Sequence, residues 1–253
     1  MSMEIVVKNC KTWLKEAREI ILDGLNEPHV VHEKTERQDI VTEMDTRVQD
    51  FLVGKINEHY PNDKILAEEN GKNSLPDRSG RVWVIDPIDG TLNFFYQKKN
   101  FAIMIGIYED GIGKVGFIYD VAKDLLYWGG QSFGGVYRNE SPLPSPTKCS
   151  MRDGLIAMNS YMYAENSMKS REIGNQTMGI RSNGSAAMEF INLLEGDVVA
   201  YICNLSPWDW AAGAVLTAYF GFVTRTIGKE DLNWDARDYL AVCYPEDYEE
   251  FYM

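Results

Sequence analysis

The chain has 253 residues, of which 45% are hydrophobic and 25% are charged, an ordinary composition for a soluble globular protein. Its net charge of −13 argues against a nucleic-acid-binding protein, because such proteins need a basic surface. The same charge allows an anionic substrate if metal ions reverse the local sign. No run approaches the roughly 20 apolar residues of a membrane span, and the N-terminus lacks the apolar stretch of a signal peptide.

The cysteines are spread too widely along the sequence to suggest a zinc site. They are Cys10, Cys149, Cys203 and Cys243. A chain of this length can bury a full hydrophobic core and does not need disulfides. We therefore predict four reduced thiols in a protein of the cytoplasm.

Two predicted helices open the chain and are followed by a strand-rich segment. Apolar residues recur at helical spacing from Ile5 to Leu25, and again from about Thr42 to Tyr60. The later strands come in neighbouring pairs separated by turn-like residues, which indicates an antiparallel meander. The predicted strands of this segment are 64–70, 81–86, 101–108, 114–121, 125–130 and 134–139.

Strands and helices alternate in the rest of the chain, which is the pattern of an α/β arrangement. The segment 141–148 has three prolines and is predicted to be the boundary between the two halves. The predicted strands beyond it are 155–160, 197–203, 222–226 and 239–243. The predicted helices are 184–196, 206–221 with Pro207 in its first turn, and a short helix near the C-terminus.

Four acidic residues fall at or near the ends of predicted elements. They are Glu68, Asp86, Asp89 and Asp209. Taken singly, an acid after a strand is more often a solvated turn residue, and an acid near a helix start is more often a cap. The two acids that lie three residues apart need a further explanation, because like charges repel.

The segment DPIDGT (86–91) can hold two carboxylates and one carbonyl on the same side. Pro87 restricts both itself and the residue before it, and Gly90 allows a backbone conformation that is closed to other residues. The two carboxylates and the carbonyl of Ile88 are the hard oxygen ligands that Mg²⁺ prefers. If a helical turn begins at Thr91, its N–H groups could hold a phosphate. The sequence therefore predicts a divalent cation between the two charges.

The same segment resembles a signature of the inositol monophosphatase family, whose members are Mg²⁺-dependent, lithium-sensitive phosphomonoesterases. The resemblance rests on VIDPIDGTLNF (84–94), with AEEN (67–70) upstream and PWDWAAGAVL (207–216) far downstream. Lys34 and DIVTEMD (39–45) also fit, and the motifs appear in family order. The chain is therefore predicted to be a phosphoric monoester hydrolase.

The resemblance implies an α/β (α+β) fold, a layered α-β-α-β-α sandwich of the inositol monophosphatase and fructose bisphosphatase type. It implies one domain over residues 1–253, with a metal-binding half of about 1–145 and an α/β half of about 146–253. The family's members are commonly homodimers, so a homodimer is predicted. A small phosphate ester is the expected partner, with neither nucleic acid nor membrane.

The resemblance also assigns roles to individual residues. The implied ligands of two or three Mg²⁺ ions are Glu68, the bridging Asp86, the carbonyl of Ile88, Asp89 and Asp209. Asp45 and Thr91 would form a pair that orients the attacking water. Glu69 would lie beside the first metal ligand. The alternative for Asp45 is that it only caps a helix. The implied substrate contacts are Asp89, Gly90, Thr91, Gly184, Ser185, Ala186 and Asp209.

The substrate is predicted to be inositol 1-phosphate or a related sugar phosphate, attacked in line by metal-activated water. Members that act on inositol phosphates carry a glutamate seven residues before the last metal aspartate, where an ungapped count from Asp209 gives Ile202. An isoleucine cannot accept a hydrogen bond from a polyol, which puts inositol in doubt. A shift in the loop could let Asn204 or Ser206 take that role.

Two alternatives stay open. Relatives with the same metal site hydrolyse adenosine 3′,5′-bisphosphate, NADP or fructose bisphosphate. Tyr161, Tyr163 and Tyr201 could stack on an adenine, although Tyr201 lies in a predicted strand and would more often serve packing. The other alternative is a regulatory scaffold that binds Mg²⁺ and a protein partner but turns over little substrate.

Overall fold

The described residues form alternating layers of helices and sheets in a computed structural model. They are residues 2–25, 31–33, 40–69, 74–229 and 231–252. The helices are α1 (Met3–Gly24), α2 (Glu43–His59), α3 (Thr91–Gln97), α4 (Ser160–Glu165), α5 (Ser170–Asn175), α6 (Ala186–Glu195), α7 (Pro207–Tyr219) and α8 (Pro245–Tyr252). None of the helices in these ranges has the length and apolar character that crossing a bilayer would require.

The strands within the described ranges belong to three sheets. They are β1 (Val31–Glu33), β2 (Ile40–Thr42), β3 (Lys64–Ala67), β4 (Arg81–Asp89), β5 (Ala102–Glu109), β6 (Ile112–Asp120), β7 (Leu125–Gly130), β8 (Gly135–Arg138), β9 (Ser141–Pro142), β10 (Leu155–Met158), β11 (Gly179–Arg181), β12 (Ala200–Leu205), β13 (Val223–Thr226) and β14 (Asp238–Cys243). The short hairpin β1–β2 forms a sheet of its own.

The first large sheet has the strand order β3-β4-β5-β6-β7-β8-β9. Only β3 and β4 run parallel, so the predicted meander is confirmed. Asp110 and Gly111 join β5 to β6 with φ values of 52° and 77°, the left-handed conformation of a tight hairpin turn. The predicted boundary segment 141–148 begins two residues too early, because Ser141 and Pro142 form β9 and still pair with β8. Pro142 is tolerated there since an edge strand leaves some N–H positions unpaired.

The second large sheet has the order β11-β10-β12-β14-β13, with β11, β10 and β12 parallel and the last two pairs antiparallel. The alternation predicted for this half is therefore confirmed. The sequence patterns missed β11, α4 and α5, because elements of three to six residues are too short to show a period. Most other predicted boundaries agree within two residues, which is the usual uncertainty of element ends.

Four predicted strands have different ends in the structure, and the one predicted over 81–86 continues to Asp89. The strand predicted over 64–70 ends at Ala67. The strand predicted over 197–203 begins only at Ala200, as β12. Gly196 ends α6 in a left-handed conformation, and the chain needs several residues to leave the helix. The strand predicted over 155–160 ends early because Asn159 caps α4, where its side chain accepts a hydrogen bond from the N–H of Tyr161 at 2.8 Å.

The layers follow the order α-β-α-β-α, as the resemblance implied. One buried hydrophobic cluster joins α1 and α2 to the outer face of the first large sheet. A second cluster lies between the two large sheets and contains the apolar residues of α6 and α7. A third cluster covers the other face of the second sheet with residues of α4, α5 and α8. The middle cluster contains residues of both sheets; the single-domain organisation over 1–253 stays a prediction.

Candidate active site

A β-bulge in β4 places Asp86 and Asp89 on the same face of the first large sheet. Residues three apart in a regular strand face opposite sides. Here Asp86 pairs with Met104 and Asp89 with Ala102, so three steps along β4 match two steps along β5. Because of the extra residue, the side chains of Asp86 and Asp89 both face the layer of α6 and α7. The strand predicted to end at Asp86 thus continues to Asp89, and Pro87 falls in the bulge where proline is tolerated.

Helix α7 lies close against this sheet because two glycines leave room for it. A Cβ on Gly116 would lie 2.4 Å from the carbonyl oxygen of Ala212, and a Cβ on Gly106 would lie 3.0 Å from the backbone of Ala211. Asp209 lies in the first turn of α7. The close approach of the helix therefore brings this carboxylate, which is 123 residues from Asp86 in the sequence, to the end of β4.

Three buried carboxylates meet at this point. Asp86, Asp89 and Asp209 each offer an oxygen within 4.8 Å of the others. Glu68 follows β3, beside β4, and its carboxylate stays outside that 4.8 Å group but close enough to act electrostatically on all three. The predicted acids are thus brought together from both halves of the chain.

The environment of this cluster disfavours negative charge. Burial and the neighbouring carboxylates, Glu68 foremost, raise the pKa of Asp86 well above its ordinary value. Burial raises the pKa of Asp89 to about 6, against hydrogen bonds that lower it. Burial also raises the pKa of Asp209 to about 7, although the charge of Arg237 opposes the shift. The site is short of positive charge, and a hard divalent cation fits its all-oxygen donors.

The side chain of Asp89 is held by the N-terminus of α6. The hydroxyl of Ser185 donates to one carboxylate oxygen of Asp89, which also accepts from the N–H of Ala187 at 2.7 Å. The other oxygen accepts from the N–H of Ala186 at 3.1 Å. Ser185 and Ala186, predicted as substrate contacts, are therefore directed to Asp89 in this structure, and their contact with substrate stays a prediction.

Asn93 connects the two loops that border the cluster. Its side-chain N–H₂ donates to the carbonyl of Asn183 and to that of Asn100, both at 2.8 Å. This fixes the segment before Gly184 next to the start of α3. Gly90 has φ +88°, and a Cβ there would lie 3.0 Å from the side chain of Ser185. A larger residue at position 90 would therefore force the two loops apart.

Asp45 and Thr91 lie within hydrogen-bond distance. The hydroxyl of Thr91 is 3.0 Å from a carboxylate oxygen of Asp45 and 3.1 Å from the carbonyl oxygen of Ile88. Asp45 is buried and is the third residue of α2. It therefore stands at the N3 position, from which an acidic side chain can also stabilise the start of a helix, so the catalytic role and the alternative of a helix cap both stay predictions.

Glu69 is buried and is held through its backbone. Gln49 of α2 donates to the carbonyl of Glu69 at 2.6 Å and accepts from its N–H at 2.7 Å. This double contact fixes the chain next to Glu68. Nothing in the sequence pattern of α2 distinguished this glutamine from a surface residue, so its position was missed.

Replacing Gln49 by leucine is expected to lower the free energy of unfolding by about 2–4 kcal/mol, because two buried backbone groups lose their partner. Urea denaturation measures the change. Gln176→Leu is the matched control, since Gln176 is exposed and makes a single 3.2 Å bond to the carbonyl of Glu172. It should shift stability by less than about 0.5 kcal/mol. Equal effects of the two substitutions would contradict this account.

Ile202, the position at which the count from Asp209 placed the inositol-contacting residue, does not face the site. Its side chain is fully buried in the cluster on the outer face of the second sheet. Since side chains alternate along a strand, Tyr201 and Cys203 of β12 face the layer of α6 and α7 instead. Tyr201 is buried with its ring edge-on to Phe190, so it serves packing. Tyr161 is exposed and Tyr163 packs against the outer cluster.

Arg237 lies at the rim of the site and was also missed. Its Nε donates to the hydroxyl of Ser206 at 3.1 Å, and its Nη2 lies 3.5 Å from Asp209. It comes from a loop far from every motif, so no local signal pointed to it. Lys34 and Asp39, which supported the resemblance, lie outside the described residues.

Comparisons with known proteins identify the family of this chain. The model of the inositol monophosphatase family matches residues 3–251. Inositol-1-monophosphatase of Bacillus subtilis (strain 168) is 39% identical over 225 residues, which cover 87% of this chain and 84% of that protein. Fructose-1,6-bisphosphatase/inositol-1-monophosphatase of Thermotoga maritima is 32% identical over 203 residues, 79% of this chain and 77% of that protein.

The fold agrees as well. The crystal structure of inositol monophosphatase-II from Staphylococcus aureus MSSA476 superposes with a TM-score of 0.87 at 32% identity, covering 98% of this chain and 94% of that chain. The family match, the identity to the relatives and the shared fold lead to one conclusion: this chain belongs to the inositol monophosphatase family and is a phosphomonoesterase.

Proposed function

We propose that the chain hydrolyses a small phosphate monoester, inositol 1-phosphate or a related sugar phosphate, with Mg²⁺ as the cofactor. The observation that carries this proposal is the meeting of three buried carboxylates beside the Asp45–Thr91 pair. The names of the Bacillus and Thermotoga relatives support the substrate class.

Five groups would hold two or three Mg²⁺ ions. They are the carboxylates of Glu68, Asp86, Asp89 and Asp209 and the carbonyl of Ile88. Bound Mg²⁺ would neutralise these acids, lower the pKa of a water and stabilise the leaving oxygen. Asp89 and Asp209 would hold the second metal, as the family resemblance implies, and our proposal assigns that metal to the leaving oxygen. The raised pKa values support a cation here, because each acid needs positive charge nearby to stay ionised.

Asp45 and Thr91 would orient the attacking water. When the hydroxyl of Thr91 donates its hydrogen bond to Asp45, its oxygen is left to accept a hydrogen bond from that water. The water oxygen bonds to phosphorus as the bond to the leaving oxygen breaks, and the proton that the water gives up balances the one that the leaving oxygen takes up, so no covalent phosphoenzyme is needed. Gly90 and Thr91 would contact the phosphate, with Gly184, Ser185 and Ala186 on the substrate side. Glu69 would support the site from beside Glu68.

Fructose 1,6-bisphosphate is the second candidate substrate, because the Thermotoga relative carries both activities in its name. We further propose a lithium-sensitive homodimer, which the family resemblance supports, in the cytoplasm, which the widely spread cysteines favour. Lithium inhibition curves and light scattering on the purified protein test the sensitivity and the dimer.

The decisive experiment measures phosphate release with Mg²⁺ from inositol 1-phosphate, fructose 1,6-bisphosphate, adenosine 3′,5′-bisphosphate, NADP and glycerol 2-phosphate. We expect turnover of at least one sugar or polyol phosphate, and a loss of about 10³-fold or more in Asp209→Asn. Hydrolysis of the nucleotides alone would move the substrate class to nucleotides. No hydrolysis with any divalent metal would contradict catalysis and favour the scaffold alternative.

A further inference from the structure

A guanidinium group lies at the mouth of the buried acidic cluster. Arg237 immediately precedes β14, and its side chain is 57% exposed, whereas that of its neighbour Asp209 is 11% exposed. Its Nε is anchored on the hydroxyl of Ser206 at 3.1 Å. The positive charge therefore has a fixed position between solvent and the cluster.

The position of Arg237 relates it to one side of the proposed reaction. It lies 3.5 Å from Asp209, which belongs to the leaving-group side under the proposed function. The Asp45–Thr91 pair, which would orient the water, lies at α2 and α3 instead. A group attached to the leaving oxygen would thus be the part of the substrate nearest to Arg237.

The strand beside Arg237 offers little to a neutral polyol. Tyr201, Cys203 and Leu205 of β12 face the layer of α6 and α7, and none of them carries a charge. Cys203 is close enough to Arg237 and Asp209 for both charges to act on its pKa. Ring hydroxyls would therefore meet a weak thiol on this wall, where a carboxylate would bind them more strongly.

An anionic substituent on the leaving group would bind more strongly beside Arg237 than a neutral polyol would. The chain carries a net charge of −13, so an anionic substrate needs local positive charge at the mouth of the site. A guanidinium presents its N–H donors in a planar fork that matches phosphate oxygens. We propose that Arg237 binds a second phosphate on the leaving group, so that it favours bisphosphorylated substrates over singly phosphorylated polyols. This inference rests on the proposed function.

Two substitutions separate charge from shape. Arg237→Gln removes the charge and can still bond to Ser206, whereas Arg237→Lys keeps the charge and loses the fork. We expect Arg237→Gln to lower kcat/KM for fructose 1,6-bisphosphate about 10- to 100-fold, mainly through KM, since a charge-assisted contact is lost. The values for inositol 1-phosphate and glycerol 2-phosphate should change by less than about 3-fold, and Arg237→Lys should recover part of the loss.

Arg152→Gln is the matched control. Arg152 is also a half-exposed arginine paired with a carboxylate, that of Glu250 near the C-terminus. This variant removes the same charge and should leave the ratio between the substrates unchanged. An equal change of the ratio in both variants would show a general charge effect and overturn the proposal.

Equilibrium binding gives a readout that does not depend on turnover. Calorimetry with the Mg²⁺-loaded protein saturated with inorganic phosphate, which occupies the site of the reacting phosphate, should show weaker binding of fructose 6-phosphate to Arg237→Gln than to the wild type, with the Mg²⁺ requirement unchanged. If all substrates lose activity equally and more Mg²⁺ is needed, Arg237 only positions Asp209 and the inference is wrong. An unchanged substrate ratio would also overturn it, while a wild type that hydrolyses no ester would remove the proposed function and this inference with it.

Discussion

Replacing Asp86 by asparagine is expected to abolish turnover and, at the same time, to make the metal-free protein more stable. Turnover should fall by about 10³-fold or more, because a carboxylate that would hold the metal ions is lost. Stability should rise by about 1–3 kcal/mol at pH 8, because a fully buried carboxylate surrounded by other carboxylates loses its charge. A catalytic residue whose loss stabilises the fold is the signature of a site that is strained without its cation.

The pH dependence of the metal-free protein follows from the same shifts. Asp86, Asp89 and Asp209 have pKa values raised above those of the unfolded chain, so the folded protein binds more protons over the range between the two values. Stability therefore falls as the pH rises, most steeply from about pH 4 to about pH 6 for Asp89 and to about pH 7 for Asp209. Thermal unfolding in a chelator across this range should show the wild type losing more stability than Asp86→Asn.

Added Mg²⁺ should reverse this loss in the wild type. A cation that binds only the folded state stabilises it by about 2.7 kcal/mol at 100 times its dissociation constant, which is a shift of several degrees in Tm for a chain of this size. Asp86→Asn should show little of that shift. The matched control is Asp120→Asn, since Asp120 is as buried as Asp86 but has an ion pair with Lys123. This variant should be less stable and still active, and a stabilised Asp120→Asn would contradict the argument.

The chemistry of the site could be predicted from the sequence where it depends on residues that are neighbours in the chain. Pro87 and Gly90 constrain a short segment, and the residues around Asp209 form a distinct motif. The β-bulge that turns the two aspartates to one face could not be predicted, because it depends on the register against β5. The distance of 123 residues to Asp209 is bridged only by the packing of α7 on glycines of the sheet.

Contacts made through the backbone or across layers left no sequence signal. Gln49 binds the main chain of Glu69, and any residue type at position 69 would offer the same groups. Ile202 shows a different limit of sequence reasoning. The count back from Asp209 gave its position in the chain but could not tell which side of the sheet its side chain faces. A difference of one residue in a strand reverses the side chain, so Cys203 faces the layer of α6 and α7 and Ile202 faces away from it.

The Asp45–Thr91 pair should behave as one catalytic unit. Asp45→Asn replaces a carboxylate that accepts the proton of Thr91 by an amide that can donate to the same hydroxyl, which reverses the polarity of the bond. Thr91→Val removes the hydroxyl at nearly constant volume. We expect each substitution to lower kcat by about 10²- to 10⁴-fold with a small change in KM, because the orientation of the water matters mainly in the transition state.

The double variant is the sharper measurement. If the two residues act only through each other, Asp45→Asn combined with Thr91→Val should be no slower than the worse single variant, since the second change removes nothing further. Multiplied losses would show independent roles. Thr217→Val is the matched control, because Thr217 is fully buried in α7 and donates to the carbonyl of Gly213 at 2.8 Å. It removes a more deeply buried hydroxyl outside the site, so it should change stability while kcat stays within about 3-fold of the wild type.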